Sequence, residues 1–462
     1  MRIYRVLYWL FLFSFALHAQ FRIFNKSDTS SIGYVVYNLS QDSIVSSLHA
    51  DTLFPPASIL KILSSACLIE NFNLSVFTPT RIGYDGIIVN DTSFLGNLII
   101  DAGGDPLLES GWVPSNQFLS ELILFFKTKQ IRTIRGNLIL NLNHLQPTQR
   151  MPSLTEDDQQ WWYAAPYGGF MFHINYCTAT LQRLAEQWIC SVEPQAADIK
   201  IQTKIKTLRH TSAQFRILWN EPISELNIIA AIPEVIQTYR LKIAVPDPDS
   251  WALKVIDQSL RDAAIHTQLS YQFNRSKPSI PPVDYHLIHQ IDLLPLDSIL
   301  MFANRESSNP IFEHLFCYLL NDVDHADQYL MEYFTKYSNN PLKGSIYDHS
   351  GLDVANSLSL AEWLAFFKGL YRENPQLWRR MQATLPIGSE IFPGVTQDNG
   401  TRVKTGLLPN ACGMAIMGMH EEDELVALFF NKNSNLENSR KFFRIISQWA
   451  YSLFYKNGED EK

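Results

Sequence analysis

Helix-patterned stretches of this chain stand on either side of roughly 200 residues that read mostly as strands. That interruption constrains the fold more than any local motif. Ser31–Leu39 and Ser43–His49 alternate like the two arms of a hairpin, with Ser40-Gln41-Asp42 at the turn. A helix then begins near Ser58 and continues through the apolar run Ile62–Ile69. From about Thr80 the texture changes to short β-like runs, at Arg81–Val89, Ser93–Asp101, Thr133–Asn141, Ile199–Leu208 and Glu225–Ile232. Only Asn116–Lys129 and Pro246–Ala264 read as helices there, and 142–180 reads as aromatic-rich loop. Beyond the Pro/Ser stretch Ser276–Pro282 the helical patterns resume, at Pro295–Ala303, Pro310–Leu320, Asp324–Tyr337 and Ser359–Tyr371. The chain closes with strands at Arg402–Lys404, Ala415–Met419 and Glu424–Asn431, a turn at Glu421–Asp423, and an amphipathic helix over Leu436–Tyr455. The expected organisation is one α/β (α+β) unit, residues 20–79 and 283–462, split by a β-rich insertion at 80–282.

The first nineteen residues have the layout of a secretory signal peptide: Arg2 and Arg5, an apolar run Leu7–Leu17, and the small Ala19 at the cut. An uncleaved anchor is the alternative, since Leu17 is bulky for a cleavage site. Export to the periplasm or cell envelope is the expected address, with no stable membrane span. The formal net charge of -8 and the absence of a basic run argue against a nucleic-acid partner. The five cysteines are scattered and lack metal-ligand spacing, so no metal or cofactor is expected. Cys67 and Cys317 read as small core residues, and Cys177 with Cys190 is the best-placed pair for a single disulfide.

Three short motifs carry chemistry. Ser58 and Lys61 lie three apart at a helix start, so the amine can reach the hydroxyl across one turn. A helix N-terminus also favours the oxyanion formed when a serine attacks a carbonyl. Taken alone, Ser-x-x-Lys arises about once or twice by chance in a chain of this length. Ser307-Ser308-Asn309 sits where a loop enters a helix, and by itself reads equally well as a cap. Lys404-Thr405-Gly406 ends a strand near the C-terminus and could be only that. In this order and in these settings, Ser-x-x-Lys, a Ser-x-Asn and Lys-Thr-Gly form the set used by penicillin-binding proteins and serine β-lactamases.

The chain resembles the class C low-molecular-mass penicillin-binding proteins, the penicillin-binding-protein-4 type of D-alanyl-D-alanine carboxypeptidase/endopeptidase. The resemblance covers nearly the whole mature length. Pro56-Ala57-Ser58-Ile59-Leu60-Lys61 is similar to that family's Pro-Ala-Ser-x-x-Lys. Gly103-Gly104-Asp105-Pro106-Leu107-Leu108, Asn304 to Glu313, and Asp348-His349-Ser350-Gly351-Leu352 resemble further family stretches. The long gap between Ser58 and Ser307 fits as well, because ordinary β-lactamases lack such an insertion. Three departures stand out: Ser308 for the usual Asp, His349 for a Gly, and Leu407 where Ser or Thr often follows Lys-Thr-Gly.

The resemblance implies a serine β-lactamase/transpeptidase-like fold, an antiparallel sheet with flanking helices. It implies Ser58 as nucleophile and Lys61 as its base, although the base of this superfamily is disputed. Lowering of the Lys61 pKa is expected from burial and from the positive Lys404. Ser307 would relay the proton to the leaving amine, Asn309 would hold the substrate amide, and Lys404 with Thr405 the terminal carboxylate. Gly406 and Leu407 continue that strand, and the backbone N–H groups of Ser58 and Leu407 would form the oxyanion hole. Asp158, ahead of Trp161-Trp162-Tyr163, resembles an acidic site for the free amine of the stem peptide, and reads equally well as a solvated loop. The implied partners are peptidoglycan stem peptides, with β-lactams as covalent inhibitors. A β-lactamase or esterase on the same scaffold, or a non-catalytic binder of cell-wall peptides, are the competing readings.

Overall fold

The computed structural model describes residues 31–455 apart from 113–117, 144, 153, 210–211, 221–222, 276–284, 321–325, 394 and 396–398. The expected signal peptide, the Pro/Ser stretch and the charged C-terminal tail lie outside the described residues. The chain forms two compact units, one reaching Asn73 and resuming at Leu296, the other Leu74–Pro295.

The first unit is built on β1 (Ile32–Asn38), β2 (Ser43–Leu48), α1 (Leu60–Asn71), α2 (Leu296–Arg305), α3 (Asn309–Leu320), α4 (Ala326–Ser338), α5 (Leu360–Glu373), α6 (Pro375–Ala383), β3 (Arg402–Leu408), β4 (Ala411–His420), β5 (Asp423–Lys432) and α7 (Leu436–Phe454). Its sheet has the order β3-β4-β5-β1-β2, and every pair is antiparallel. The N-terminal strand is therefore interior, paired with a strand almost 400 residues later: Val35 lies opposite Leu428. All seven residues of β1 are buried. A strand covered on both faces reads as a continuous apolar run rather than an alternating one.

One sheet face packs on α7. Tyr34, Val36, Met414, Ile416, Ala427 and Phe429 meet Phe442, Ile446, Trp449 and Leu453. Those helical residues recur at three- and four-residue spacing, which places them on one stripe. The β4–β5 hairpin closes through Glu421-Glu422, with Glu421 at φ +55°. β3 stands at the sheet edge, paired with β4 and bridged at Arg402 to Ile387.

The second unit carries a five-stranded sheet of 266–274, 133–141, 93–101, 80–89 and 286–291 in spatial order. Its 93–101/133–141 and 133–141/266–274 pairs are parallel, and the other two antiparallel. Helices Phe118–Thr128 and Pro248–Asp262 pack on its core through Leu122, Phe126, Leu253 and Ile256. Among the described residues the unit also carries two three-stranded sheets. The Gly103-Gly104-Asp105 stretch leads into a turn at 106–109 there. A side chain on Gly103 would meet the Thr78 carbonyl at 1.9 Å, and Gly104 has φ +90°. Asp105 closes the turn by accepting from the Leu107 N–H at 2.8 Å.

Three expectations need correction. The stretch 142–180 is not all loop, because a strand begins at Tyr176 and pairs with Gln187–Glu193. The turn between them holds Ala185 at φ +55°, where Gly or Asn would have signalled a hairpin. Cys177 and Cys190 are both free thiols. The register sets Cys190 opposite Leu181, four residues along from Cys177, an offset of about 13 Å that a disulfide cannot span. Cys317 is half-buried rather than a core residue. Among the described residues, no helix is long and apolar enough to cross a membrane.

Candidate active site

Ser58 lies in a single 3-10 turn, Ala57–Ile59, that leads directly into α1. Ala57 ahead of it is in the left-handed region at φ +48°, a conformation that a non-glycine residue holds only where its surroundings enforce it. Two glycines do so. A side chain on Gly351 would sit 1.8 Å from the Ala57 carbonyl oxygen. One on Gly406 would sit 2.9 Å from the Ser58 nitrogen and 3.0 Å from the Pro56 oxygen. The Ser58 turn is thus clamped between the 348–353 loop and the edge strand β3. Ser58 itself remains half-buried and open to a substrate.

Lys61, in the first turn of α1, is fully buried. Its Nζ lies 3.0 Å from Ser58 Oγ, 2.6 Å from Asn309 Oδ1 and 2.6 Å from the Ser350 carbonyl oxygen. Asn309 Oδ1 and Ser350 O can only accept. They therefore claim the two N–H groups of a neutral amine and leave its lone pair for the Ser58 hydroxyl. Burial pushes the Lys61 amine down to about 7, against the opposing pull of the Asp348 and Glu313 carboxylates. A lysine in that range is neutral often enough near neutral pH to serve as a general base.

The middle motif reaches the site from the α2–α3 junction. Ser307 has φ +53° and its N–H bonds the Asn304 carbonyl at 3.3 Å, while Ser308 N–H bonds the Ala303 carbonyl at 2.8 Å. Asn304 anchors that junction by donating to Ser65 Oγ at 2.9 Å and Thr384 Oγ1 at 3.1 Å. Ser308, which departs from the expected Asp, is buried, whereas Ser307 is half-buried.

Lys404 on β3 donates to Ser307 Oγ at 2.9 Å and to the Thr405 carbonyl at 3.1 Å. It is nearly inaccessible, and its pKa lies well below the ordinary lysine value because of burial first and the charge of Lys61 second. The expected influence of Lys404 on Lys61 needs correction. The repulsion is mutual, but Lys61 faces two carboxylates, and so burial is what lowers it while the second ammonium bears on Lys404.

The structure therefore brings together Ser58, Lys61, Ser307, Asn309, Lys404 and Gly406. Thr405 is half-buried and Leu407 is 49% exposed on the edge strand. Asp158 belongs to the other unit, in a 3-10 turn where its carboxylate accepts from Thr155 Oγ1 at 2.7 Å and from the Tyr163 hydroxyl at 3.1 Å.

The loop 348–353 supplies what motif reading left without a role. The Asp348 carboxylate accepts from the backbone N–H groups of Gly351, Leu352 and Asp353, each at 2.7 Å, and from Asn356 Nδ2 at 2.9 Å. That knot presents the Ser350 carbonyl to Lys61. Among the described residues, no cluster of three or more His, Cys, Asp or Glu side chains could hold a metal.

The sequence pattern of the D-Ala-D-Ala carboxypeptidase 3 (S13) family matches residues 22–362. The chain belongs to this family. It is 22% identical over 294 residues to the D-alanyl-D-alanine carboxypeptidase DacB of Haemophilus influenzae, a match covering 62% of this chain and 58% of that protein. The aligned part thus spans less than two thirds of the curated relative. In three dimensions the S13 chain is similar to penicillin-binding protein 4 (dacB) from H. influenzae, with a TM-score of 0.67 and 20% identity, over 94% of this chain and 99% of that one. The same relative complexed with a β-lactam gives a TM-score of 0.62 at 19% identity, over 92% and 96% of the two chains. At these identities the likeness establishes the fold. The expected transpeptidase-like fold accords with that likeness.

Proposed function

We propose that this S13 chain is a serine D-Ala-D-Ala carboxypeptidase/endopeptidase that cleaves peptidoglycan stem peptides through an acyl-enzyme on Ser58. One observation carries the reading: an accessible serine faces a buried lysine whose other two hydrogen bonds go to acceptors. Neutral Lys61 takes the Ser58 proton as Oγ attacks the carbonyl between two D-Ala residues. The backbone N–H groups of Ser58 and Leu407 stabilise the oxyanion, a role supported by the close approach of Gly406 to the Ser58 nitrogen. Collapse breaks the peptide bond. The leaving amine takes the Ser307 hydroxyl proton, and Ser307 is replenished from the lysine pair. Water then hydrolyses the Ser58 ester with Lys61 again as base.

Asn309 holds the substrate amide. Lys404 and Thr405 take the terminal carboxylate, which brings a counter-charge to an ammonium that burial and Lys61 disfavour. Asp158, by its resemblance to an acidic site of the family, is assigned the free amine of the stem peptide. A β-lactam presents the same carbonyl and carboxylate, and so acylates Ser58 as well. The N-terminal layout supports export to the periplasm or cell envelope.

The test is release of D-alanine from a D-Ala-D-Ala stem peptide, run beside labelling by a fluorescent penicillin. Wild type is expected to release D-alanine and to hold the label, and Ser58→Ala to do neither. Rapid loss of the label would indicate a β-lactamase instead. Labelling without any D-alanine release would indicate a peptide-binding scaffold. Normal cleavage by Ser58→Ala would overturn the proposal.

A further inference from the structure

Beyond the Ser350 carbonyl that Lys61 holds lies a second polar pair, which the reaction above does not use. Glu313 of α3 and His349 of the 348–353 loop are both buried, 5% exposed each. Glu313 Oε2 is 2.8 Å from His349 Nδ1, and Glu313 Oε1 accepts from the His349 backbone N–H at 3.1 Å. One carboxylate thus grips both the side chain and the main chain of a single residue. The His349 carbonyl is fixed in turn by the Ser64 hydroxyl of α1 at 2.6 Å. The next carbonyl along is that of Ser350, which receives the Lys61 N–H.

The His349 ring also stacks on Phe316, with centroids 3.9 Å apart and planes 12° from parallel. A ring held between an aromatic face and a carboxylate is in a setting that favours the imidazolium.

We infer that Glu313 and His349 are a positioning pair for Lys61: together they fix the Ser350 carbonyl that orients the amine, and the imidazolium balances the one carboxylate of α3 that would otherwise hold Lys61 as an ammonium. The inference rests on the role proposed for Lys61.

The charged groups around Lys61 come from three elements: Glu313 on α3, Asp348 and His349 on the 348–353 loop, and Lys404 on β3. Cys317, one turn beyond Glu313, is a thiol pushed up to about 11 by burial and by the Glu313 charge, and so stays neutral. Asp348 is committed to three backbone N–H groups and Asn356. Burial alone would raise Glu313, yet the adjacent His349 and its hydrogen bonds hold it below the usual carboxylate value. Glu313 is therefore an anion, and a protonated His349 at 2.8 Å is its counter-charge in this proposal. Removing that counter-charge leaves a buried anion facing Lys61. An anion favours the ammonium, so the base should become active only at higher pH.

The measurement is the second-order rate of acylation by fluorescent penicillin between about pH 5 and 9. His349→Asn keeps an N–H for Glu313 but carries no charge. Its acidic limb is expected about one pH unit above that of wild type, a roughly tenfold loss on the acid side. The high-pH plateau should fall less than the acid side. The double variant His349→Asn/Glu313→Gln removes both charges and should bring the limb back to the wild-type position or below. A packing role alone would lower the plateau and leave the limb where it was, and that result would overturn the inference. So would an upward shift that persists in the double variant. Should His349→Asn not fold, Glu313→Gln alone must move the limb down, and an unmoved limb counts against the pair. Absence of labelling in wild type at every pH is a separate outcome, which removes the proposed reaction and this inference with it.

Discussion

Lys61→Met is expected to lower the rate of D-alanine release about 10²–10⁴-fold, the range associated with loss of a general base. The side chains are close in length, so the lost element is the amine. With it go the lone pair facing Ser58 Oγ at 3.0 Å and the donor that satisfies Asn309 Oδ1 and the Ser350 carbonyl. Loss of that donor from the buried Ser350 carbonyl also costs stability, roughly 1–3 kcal/mol. The comparison therefore needs rates per folded molecule, with thermal melts alongside. Lys61→Arg should not restore activity, because a guanidinium stays protonated throughout this pH range. In wild type the acidic limb of kcat/KM should fall near pH 7, following the value to which burial depresses the amine. The sign is fixed by the role: a base works when neutral, so activity rises as pH climbs through that value. A rate unchanged by Lys61→Met would remove the lysine from the mechanism.

The second large effect is expected at a residue with no side chain. Gly351 has φ +79°, and a Cβ there would sit 1.8 Å from the Ala57 carbonyl, directly before the nucleophile. Gly351→Ala therefore meets two penalties, left-handed strain of about 1–2 kcal/mol and a backbone collision that only movement can relieve. Gly400 provides the control, with φ +84° and, among the described residues, nothing within 4 Å of the point where a Cβ would stand. Gly400→Ala should lower the melting temperature by a few degrees, about 2–4 °C per kcal/mol in a unit of this size, and leave acylation intact. Gly351→Ala should melt lower still and lose most of its acylation rate, because the loop that moves carries the Ser350 carbonyl. Equal effects of the two variants would mean that the close approach of loop and turn is unimportant.

Much of the site is legible in the sequence because helix geometry is local. Ser58 and Lys61 stand one turn apart, and that spacing puts the amine within reach of the hydroxyl, here at 3.0 Å. Ser307 and Lys404 could be placed only as motifs, since their 2.9 Å contact joins residues 97 apart. The Ser350 carbonyl could not be foreseen at all. A backbone acceptor leaves no mark on residue identity, and its position depends on the Asp348 knot and on Glu313 in another helix. The fold shows the same division. The amphipathic stripe of α7 and the β4–β5 hairpin are local patterns. The pairing of β1 with β5 is set by chain closure across the insertion. The Ala185 turn lacks the residues that announce a hairpin. Helix α6 is the opposite case: it is absent from the expected elements, yet Asn374 caps it and Pro375 begins it, which is a readable start signal.

The central claim is that Ser58 is acylated. Its most direct test is mass spectrometry of the intact protein after brief exposure to benzylpenicillin, followed by mapping of the modified peptide. One penicilloyl group per chain, carried on Ser58 and absent from Ser58→Ala, is the predicted result. An unmodified chain, or an adduct on any other residue, would contradict it.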